Sequence, residues 1–412
     1  MGRKLAILFW EMFKISLFVI GGGYAIIAVA DSIFARRKWT EEGELVDQLP
    51  VFQMLPGLIA THTAVYVGRK LAGGLGAAVG VAAVALPSVV IFTIVSMGYQ
   101  SLPLDNPWLV SAFVGLRSAL TGIIAATIVR GWRKNLADGF SYAVMAAGVA
   151  AIGLFGAPVP AVLGAAMAAG VISRLAARAQ DGGTRLAAHE QSGGSKTLRA
   201  TWLPLLLFLK YGALCFGGGF VLVPMYIEDF VGPTAAFLQI SEGEFADLMA
   251  LTQMTPGPIG VNGATFFGYR LAGVTGAVVA SAALLLPGSA LCYFALRSLE
   301  KFKASRIVGG IMRGVRPASV ALMLCALWAF ASMSVVTFEP SGGIRCNVIS
   351  ILIAVIAMVA ILKKKLNVMA LIFISALAAS ALRADAVSDE MRTPARKVVR
   401  LQCFPSVKMN DI

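Results

Sequence analysis

QMLPGLIATHT occupies residues 53–63, and QMTPGPIGVNG occupies residues 253–263. Each puts Pro-Gly into the middle of an apolar run that otherwise reads as a helix, at an offset of 200 (257 − 57). Proline removes a backbone hydrogen bond and glycine loosens the helix, so both runs are predicted to break there. At the same offset the whole stretch Glu42–Pro87 matches Glu242–Pro287 without a gap, with nearly half of its positions identical. The chain is an internal duplication.

Working outward, Glu42–Glu44 repeats as Glu242–Glu244, Asp47 as Asp247, GRKLAG from Gly68 as GYRLAG from Gly268, and Pro87 as Pro287. Upstream, IGGGYAIIAVADSIF (20–34) pairs with FGGGFVLVPMYIEDF (216–230), and Lys14 and Lys210 each stand seven residues before their triple glycine. Downstream, GLRSA from Gly115 pairs with GVRPA from Gly314, which aligns Arg117 with Arg316.

Composition supplies the solvent. Hydrophobic residues make up 58% of the 412 and charged residues 14%, with a mean hydropathy of +0.80. A soluble domain is about 45–50% apolar and about 25% charged. Apolar runs long enough for a bilayer fall near Leu5–Ala30, Val46–Val67, Gly76–Tyr99, Trp108–Val129, Ser141–Phe155 and Val159–Ile172. The second series falls near Leu203–Ile227, Phe245–Phe267, Ala272–Leu296, Ile307–Val336, Asn347–Leu362 and Leu366–Leu382. The expected organisation is one repeat over 1–173, a polar cytoplasmic linker over 174–200, a second repeat over 201–383 and a basic tail over 384–412. Arg3 and Lys4 precede the first run, but the run is too long for a signal peptide and holds Glu11 and Lys14.

Lys and Arg concentrate on the cytoplasmic side of membrane proteins, and equivalent loops here disagree in charge. Arg36, Arg37 and Lys38 follow the first run, whereas Glu228–Glu244 carries no basic residue. SLPLDNP from Ser101 has none, whereas its equivalent carries Arg297, Lys301, Lys303 and Arg306. Arg130, Arg133 and Lys134 oppose a loop with Arg345 alone. This predicts an all-α integral membrane protein whose halves form an inverted-topology repeat, a plan found in secondary transporters. For the signs to agree, the second run of each half must be re-entrant. With the first run read as a single crossing, Arg3, Lys4 and the basic tail fall outside, against the charge rule.

Broken helices expose backbone N–H groups and a positive dipole end, which together bind anions. The breaks at Gly57 and Gly257 and the glycines Gly22 and Gly218 are therefore candidate ligand positions, together with Lys14, Lys210, Arg117 and Arg316, since a charge in mid-membrane is costly. The lysines have snorkelling as an alternative, and the arginines have structural pairing with a carboxylate. Gln53 and Gln253, just before the breaks, either donate to an oxyanion or cap freed carbonyls. Glu44, Asp47, Glu244 and Asp247 are proton-coupling candidates, or solvated charges opening a helix. His62 faces Asn262 in the alignment and reads as polar packing.

Other machinery is excluded. SGGSKT (192–197) lacks the glycine that a phosphate loop needs before its lysine, and His189-Glu190 lacks the second histidine of a zinc helix. Five cysteines include no CxxC pair, so neither a disulfide framework nor a metal centre is expected, and no cofactor is implied. A net charge of +14 spread over loops and tail reads as attraction to the lipid bilayer, not to nucleic acid. A membrane enzyme acting on lipid phosphate would need a nucleophile or base beside the arginines, and none stands out.

These motifs in fixed order, from Lys14 to Leu382, resemble the chromate ion transporter family in its long, two-domain form. The resemblance implies export of chromate from the bacterial cytoplasm across the inner membrane, with sulfate as a related competitor, protons as the energy source and chromate resistance as the result. A transporter of the same fold for sulfate or another oxyanion is the alternative. The first copy departs from the second at Leu58 (Pro258) and Ser118 (Pro317), so roles carry over more firmly to the second half.

Overall fold

The computed structural model describes residues 1–18, 23–99, 102, 106–179, 202–216, 219–232, 235, 237–296, 305–338, 344–363 and 368–383. The first half runs α1 (Gly2–Phe18), α2 (Gly23–Arg36), α3 (Glu44–Asp47), α4 (Leu49–Met54), α5 (Ile59–Tyr99), α6 (Pro107–Asn135), α7 (Gly139–Gly153) and α8 (Val159–Ala179). The second runs α9 (Trp202–Leu214), a single 3₁₀ turn (Gly219–Val221), α10 (Leu222–Phe230), α11 (Glu242–Met254), α12 (Ile259–Ala295), α13 (Arg306–Ser334), α14 (Val348–Leu362) and α15 (Val368–Arg383). The one departure from an all-α chain among the described residues is a small hairpin after α13, β1 (Val336–Phe338) antiparallel to β2 (Ile344–Cys346). Four described helices, α5, α6, α12 and α13, are long and apolar enough to cross a membrane. The protein is a multi-pass membrane protein.

Each half folds back on itself three times. At the first glycine-rich segment, Arg37 beyond α2 pairs with Glu11 in the middle of α1. A continuous helix would hold these residues about 39 Å apart. The chain therefore reverses between α1 and α2. In the second copy Tyr211 of α9 donates to Asp229 of α10 at 2.5 Å, with Lys210 at 3.5 Å. Leu5–Ala30 is thus a hairpin and not the single crossing read from its hydropathy. Hydropathy is blind to a reversal that bare backbone permits. The correction returns Arg3 and Lys4 to the end that holds Arg36–Lys38.

The second reversal is at the Pro-Gly breaks. Glu44 accepts from Tyr66 Oη at 2.7 Å and pairs with Lys70 at 2.6 Å, so α3 and α4 lie against the first part of α5. Glu244 and Arg270 repeat the tie at 2.9 Å between α11 and α12. Val46–Val67 and its copy are therefore broken hairpins and not straight helices.

A third reversal splits α5 and α12. Ala72 (φ −151°, ψ 28°) and Gly73 (φ 59°, ψ −138°) leave the helix, as do Ala272 (φ −150°, ψ 32°) and Gly273 (φ 60°, ψ −149°). Positive φ is open to glycine at no steric cost. The limbs 59–71 and 74–99 then lie so close that a Cβ on Gly68 would collide with the carbonyl of Gly76, and Gly268 and Gly276 repeat the contact.

Around this centre the halves exchange helices. α7 and α8 lie along α13, where Arg313 pairs with Asp138 at 2.7 Å and a Cβ on Gly170 would strike the backbone of Gly310 and Gly314. α14 and α15 lie along α6, where Gly122 faces the carbonyl of Ala354 and Arg130 donates to that of Ile361. Small residues let backbones approach where lipid offers no hydrophobic drive to associate. In the loop between α6 and α7, the hydroxyl of Ser141 and then Arg313 hold the Asp138 carboxyl down to about 2. The halves also meet through the long limbs: a Cβ on Gly74 would stand 3.7 Å from the hydroxyl of Tyr293, and Arg69 lies over that ring. At the far end Tyr99 meets Phe266 edge-on.

Candidate functional site

The hairpin tips converge. Gly57, with φ +113°, is bare backbone against backbone: a Cβ there would stand 3.0 Å from Gly288 Cα and 2.9 Å from His62 Nε2. Its N–H donates to the carbonyl of Cys215, on the threshold of the second triple glycine, at 2.7 Å. Gly257, with φ +105°, occupies the matching position against the long limb of α5, where a Cβ would collide with Ser88 Oγ. The tip of each half thus lies on the long limb of the other, one residue beyond Pro87 or Pro287.

Each tip is tied by the residue five positions beyond its glycine. His62, fully buried, lies with Nδ1 3.0 Å from the carbonyl of Phe52 and Nε2 3.0 Å from that of Pro56. Asn262 donates through Nδ2 to the carbonyls of Thr252 at 3.2 Å and Thr255 at 3.4 Å. The carbonyls of Phe52 and Thr252 belong to the last turns of α4 and α11, where they have no partner inside their own helices, and those of Pro56 and Thr255 lie just beyond the helix ends. The sequence signal was the His62–Asn262 alignment itself. Two unlike residues do one job because an imidazole and an amide both donate an N–H.

The basic candidates divide. Arg117 makes a two-point pair with Asp247, Nε to Oδ1 at 2.5 Å and Nη2 to Oδ2 at 2.7 Å, with the Tyr99 hydroxyl 3.4 Å from the same carboxylate. Lys14 pairs with Glu11 at 2.9 Å and Lys210 with Asp229 at 3.5 Å. Arg316, half-buried in α13, makes no ion pair or hydrogen bond among the described residues. The residue aligned with Asp247, Asp47, is exposed. The duplication has kept both arginines and neutralised one.

Arg316 also stands near the tips. Phe216, at the end of the second glycine hairpin's first arm, packs on Met312 and Val315, with Met54 of the first tip alongside. Ser319 donates to the carbonyl of Phe216 at 3.5 Å. Arg316 lies within one helical turn of all three α13 residues, on the side away from Gly314, which faces α8.

Glu44 and Glu244 hold the hairpin legs together and do not lie at the tips. Gln53 and Gln253 end α4 and α11, the latter buried. Gly22 and Gly218 lie outside the described residues. Cys215, Cys292 and Cys325 are buried and in no disulfide, and no cluster of metal-ligating side chains occurs among the described residues. Geometrically the site is a meeting of broken backbones beside the guanidinium of Arg316, which has no carboxylate partner among the described residues. Such an arrangement suits an anion.

Comparison with known proteins agrees with the duplication. The family profile described as Chromate transporter matches residues 6–171 and again 202–380. A chromate transport protein of Pseudomonas aeruginosa is 27% identical over 386 residues, covering 90% of this chain and 91% of its own. A chromate transport protein of Cupriavidus metallidurans is 26% identical over 316 residues, 73% of this chain and 76% of its own. An uncharacterized transporter of Bacillus subtilis is 27% identical over 154 residues, 37% of this chain but 81% of its own, so that relative is about one repeat long. No solved structure matches the chain.

Proposed function

The chain belongs to the chromate transporter family, and from that membership we propose that it exports chromate across the bacterial inner membrane. The proton-motive force drives the export, and chromate resistance follows from it. The observation that carries the reading is Arg316, a guanidinium without a described partner beside converging helix breaks, while its aligned copy Arg117 is held by Asp247. A planar guanidinium can hold two oxygens of a tetrahedral oxyanion at once. Gly57 and Gly257 keep the breaks free of side chains.

Alternating access follows from an inverted repeat, which two sets of contacts support. The start of the long limb of α5, at Gly74, lies beside Tyr293 near the end of the long limb of α12, so equivalent limbs run in opposite directions. The start of α8 donates to Glu228 at the acidic base of the second half, whereas Arg174 near its end lies against Gly309 in the first turn of α13. The end that gathers Arg3, Lys4, Arg36–Lys38, Lys70, Arg130 and Arg313 is assigned to the cytoplasm by the charge rule. Direction is energetically accessible: one charge moved through 100 mV is worth about 2.3 kcal/mol, so a dianion leaving a negative interior gains about 4.6 kcal/mol per 100 mV.

Everted vesicles containing the protein test this reading. Chromate uptake should exceed that of empty-vector vesicles and collapse with a protonophore, with sulfate competing. Uptake of sulfate unaffected by chromate would assign the fold to another oxyanion. Chromate uptake unchanged by the protonophore would remove the proton-motive force.

A further inference from the structure

α13 carries its mid-helix cations on one face. Gly309, Arg313 and Arg316 stand at i, i+4 and i+7, a single stripe of the helix, and from Met312 to Leu322 every residue except Arg313 and Arg316 is buried. A third guanidinium joins the stripe from α8. Arg174, exposed near the end of that helix, lies against Gly309, where a Cβ would stand 2.5 Å from its Nη1. Residues three and four apart on a helix are neighbours, with Cβ atoms about 5–6 Å apart. Measured from the capping residue Ser305 at about 1.5 Å per residue, Gly309 lies about 6 Å along α13, Arg313 about 12 Å and Arg316 about 16.5 Å. The stripe therefore runs from the end assigned to the cytoplasm towards the converging tips.

Contact with lipid does not account for this stripe. A guanidinium facing hydrocarbon is costly, and like charges at neighbouring helical positions repel. Among the described residues one carboxylate, Asp138, pairs with these three cations: Arg313, its guanidinium over the Phe140 ring, donates from Nη2 to Oδ2 at 2.7 Å. Asp138 is satisfied without that bond. As the N-cap of α7, its Oδ1 accepts from the Ser141 N–H at 2.9 Å and the Ser141 hydroxyl at 2.5 Å. The paired side chains are 35% and 41% exposed, so Arg313 can change partner without stranding a buried charge. The first repeat has no such stripe, since Arg313 aligns with Val114 (313 − 199).

We propose that Arg174 and Arg313 form a cytoplasmic entry site for the oxyanion, in which the anion takes Arg313 from Asp138 and then passes to Arg316, three residues deeper. This rests on the anion-export reading. Arg174, exposed at the mouth, raises the local concentration of anions. A dianion draws the Arg313 guanidinium more strongly than the single charge of a carboxylate does. Stacked on Phe140, that guanidinium keeps its edge N–H groups for whichever anion faces them. Asp138 is a positioning residue: it holds Arg313 in line and compensates its charge while the site is empty. The Asp138 carboxylate is thus a competitor of the substrate, and removing its charge strengthens binding.

That gain is what a purely structural tie cannot give. Asp138→Asn keeps a helix cap and frees Arg313, with Asp138→Ser as a second capping variant should the first insert poorly. In everted vesicles, normalised to inserted protein, either should lower the KM for chromate about two- to fivefold, the range of one partly exposed ion pair. Arg313→Gln should raise KM about tenfold, as the loss of a charged hydrogen-bond donor does. Arg313→Gln combined with Asp138→Asn should show the KM of Arg313→Gln alone, because Asp138 acts through Arg313. Arg174→Gln should flatten the fall in uptake between about 20 mM and about 200 mM salt. An unchanged or raised KM in the Asp138 variants, a parental KM in Arg313→Gln, or a parental salt dependence in Arg174→Gln overturns the entry site. The two readings fail separately. Parental uptake of sulfate and not of chromate removes chromate export, while the same order of KM values read on sulfate keeps the entry site; saturable chromate uptake with one KM throughout does the reverse.

Discussion

Removing Asp247 should unfold the centre of the molecule before it touches chromate. The Arg117 side chain is 19% exposed and that of Asp247 6%, so this pair belongs with buried ion pairs and not with surface ones. Deleting one partner of a buried pair costs about 3–5 kcal/mol, because the other charge is left without compensation. At about 1.4 kcal/mol per decade, that is roughly two to four orders of magnitude in the folding equilibrium. Replacing both partners by apolar residues of similar volume is neutral or stabilising by about 1–4 kcal/mol. Asp247→Leu should therefore be severely destabilised, and Arg117→Leu with Asp247→Leu should recover most of the loss. The assay is the fraction of detergent-solubilised protein that stays monodisperse after graded heating, read as a double-mutant cycle. An Arg117→Leu variant that is fully stable but has lost chromate affinity would refute the structural-pair argument and return Arg117 to the ligand set.

Gly57→Ala should lose transport while still reaching the membrane, since a Cβ at φ +113° would press on Gly288 Cα at 3.0 Å. Strain and overpacking there cost together about 2–6 kcal/mol, and Gly57→Leu should be worse; full chromate resistance with either would remove the break from the mechanism. Gly257→Ala should be rescued in part by Ser88→Gly, which copies the Gly57–Gly288 contact into the other half, and uptake per unit protein in the single and double variants decides it. For topology, a sole cysteine at Leu102, an exposed position, should react with an impermeant thiol reagent added outside, and one at Ser305 should not. Equal labelling of both would rule out the inverted arrangement.

Much of the fold was legible because duplication turns weak local signals into paired ones. Pro-Gly at 56–57 alone is a kinked helix; repeated at 256–257 between oppositely charged loops, it reads as a re-entrant segment. The reversals at the triple glycine and at Ala72–Gly73 were not legible as reversals. Both lie inside continuous apolar sequence, and hydropathy does not distinguish a helix that crosses from two that return. The Arg37–Glu11 pair, 26 residues apart (37 − 11), and the close contact of Gly68 with Gly76 fix the folding back. The site was half legible. Charge in mid-membrane marked both arginines, but whether a carboxylate from the other half reaches one of them depends on tertiary contact between α6 and α11. Pairing His62 with Asn262 by alignment exposed their difference and hid their shared role, which appears only once the carbonyls of Phe52 and Thr252 are placed.

The central claim is that Arg316, which has no ion-pair partner among the described residues, receives the oxyanion. The most direct test is concentration-dependent chromate uptake by everted vesicles, normalised to inserted protein, for Arg316→Lys and Arg316→Ala. An ammonium is a point charge and loses the two-point grip, so the lysine variant should show weakened affinity and the alanine variant no saturable uptake, each at parental levels of stable protein. Parental affinity in Arg316→Ala would contradict the account.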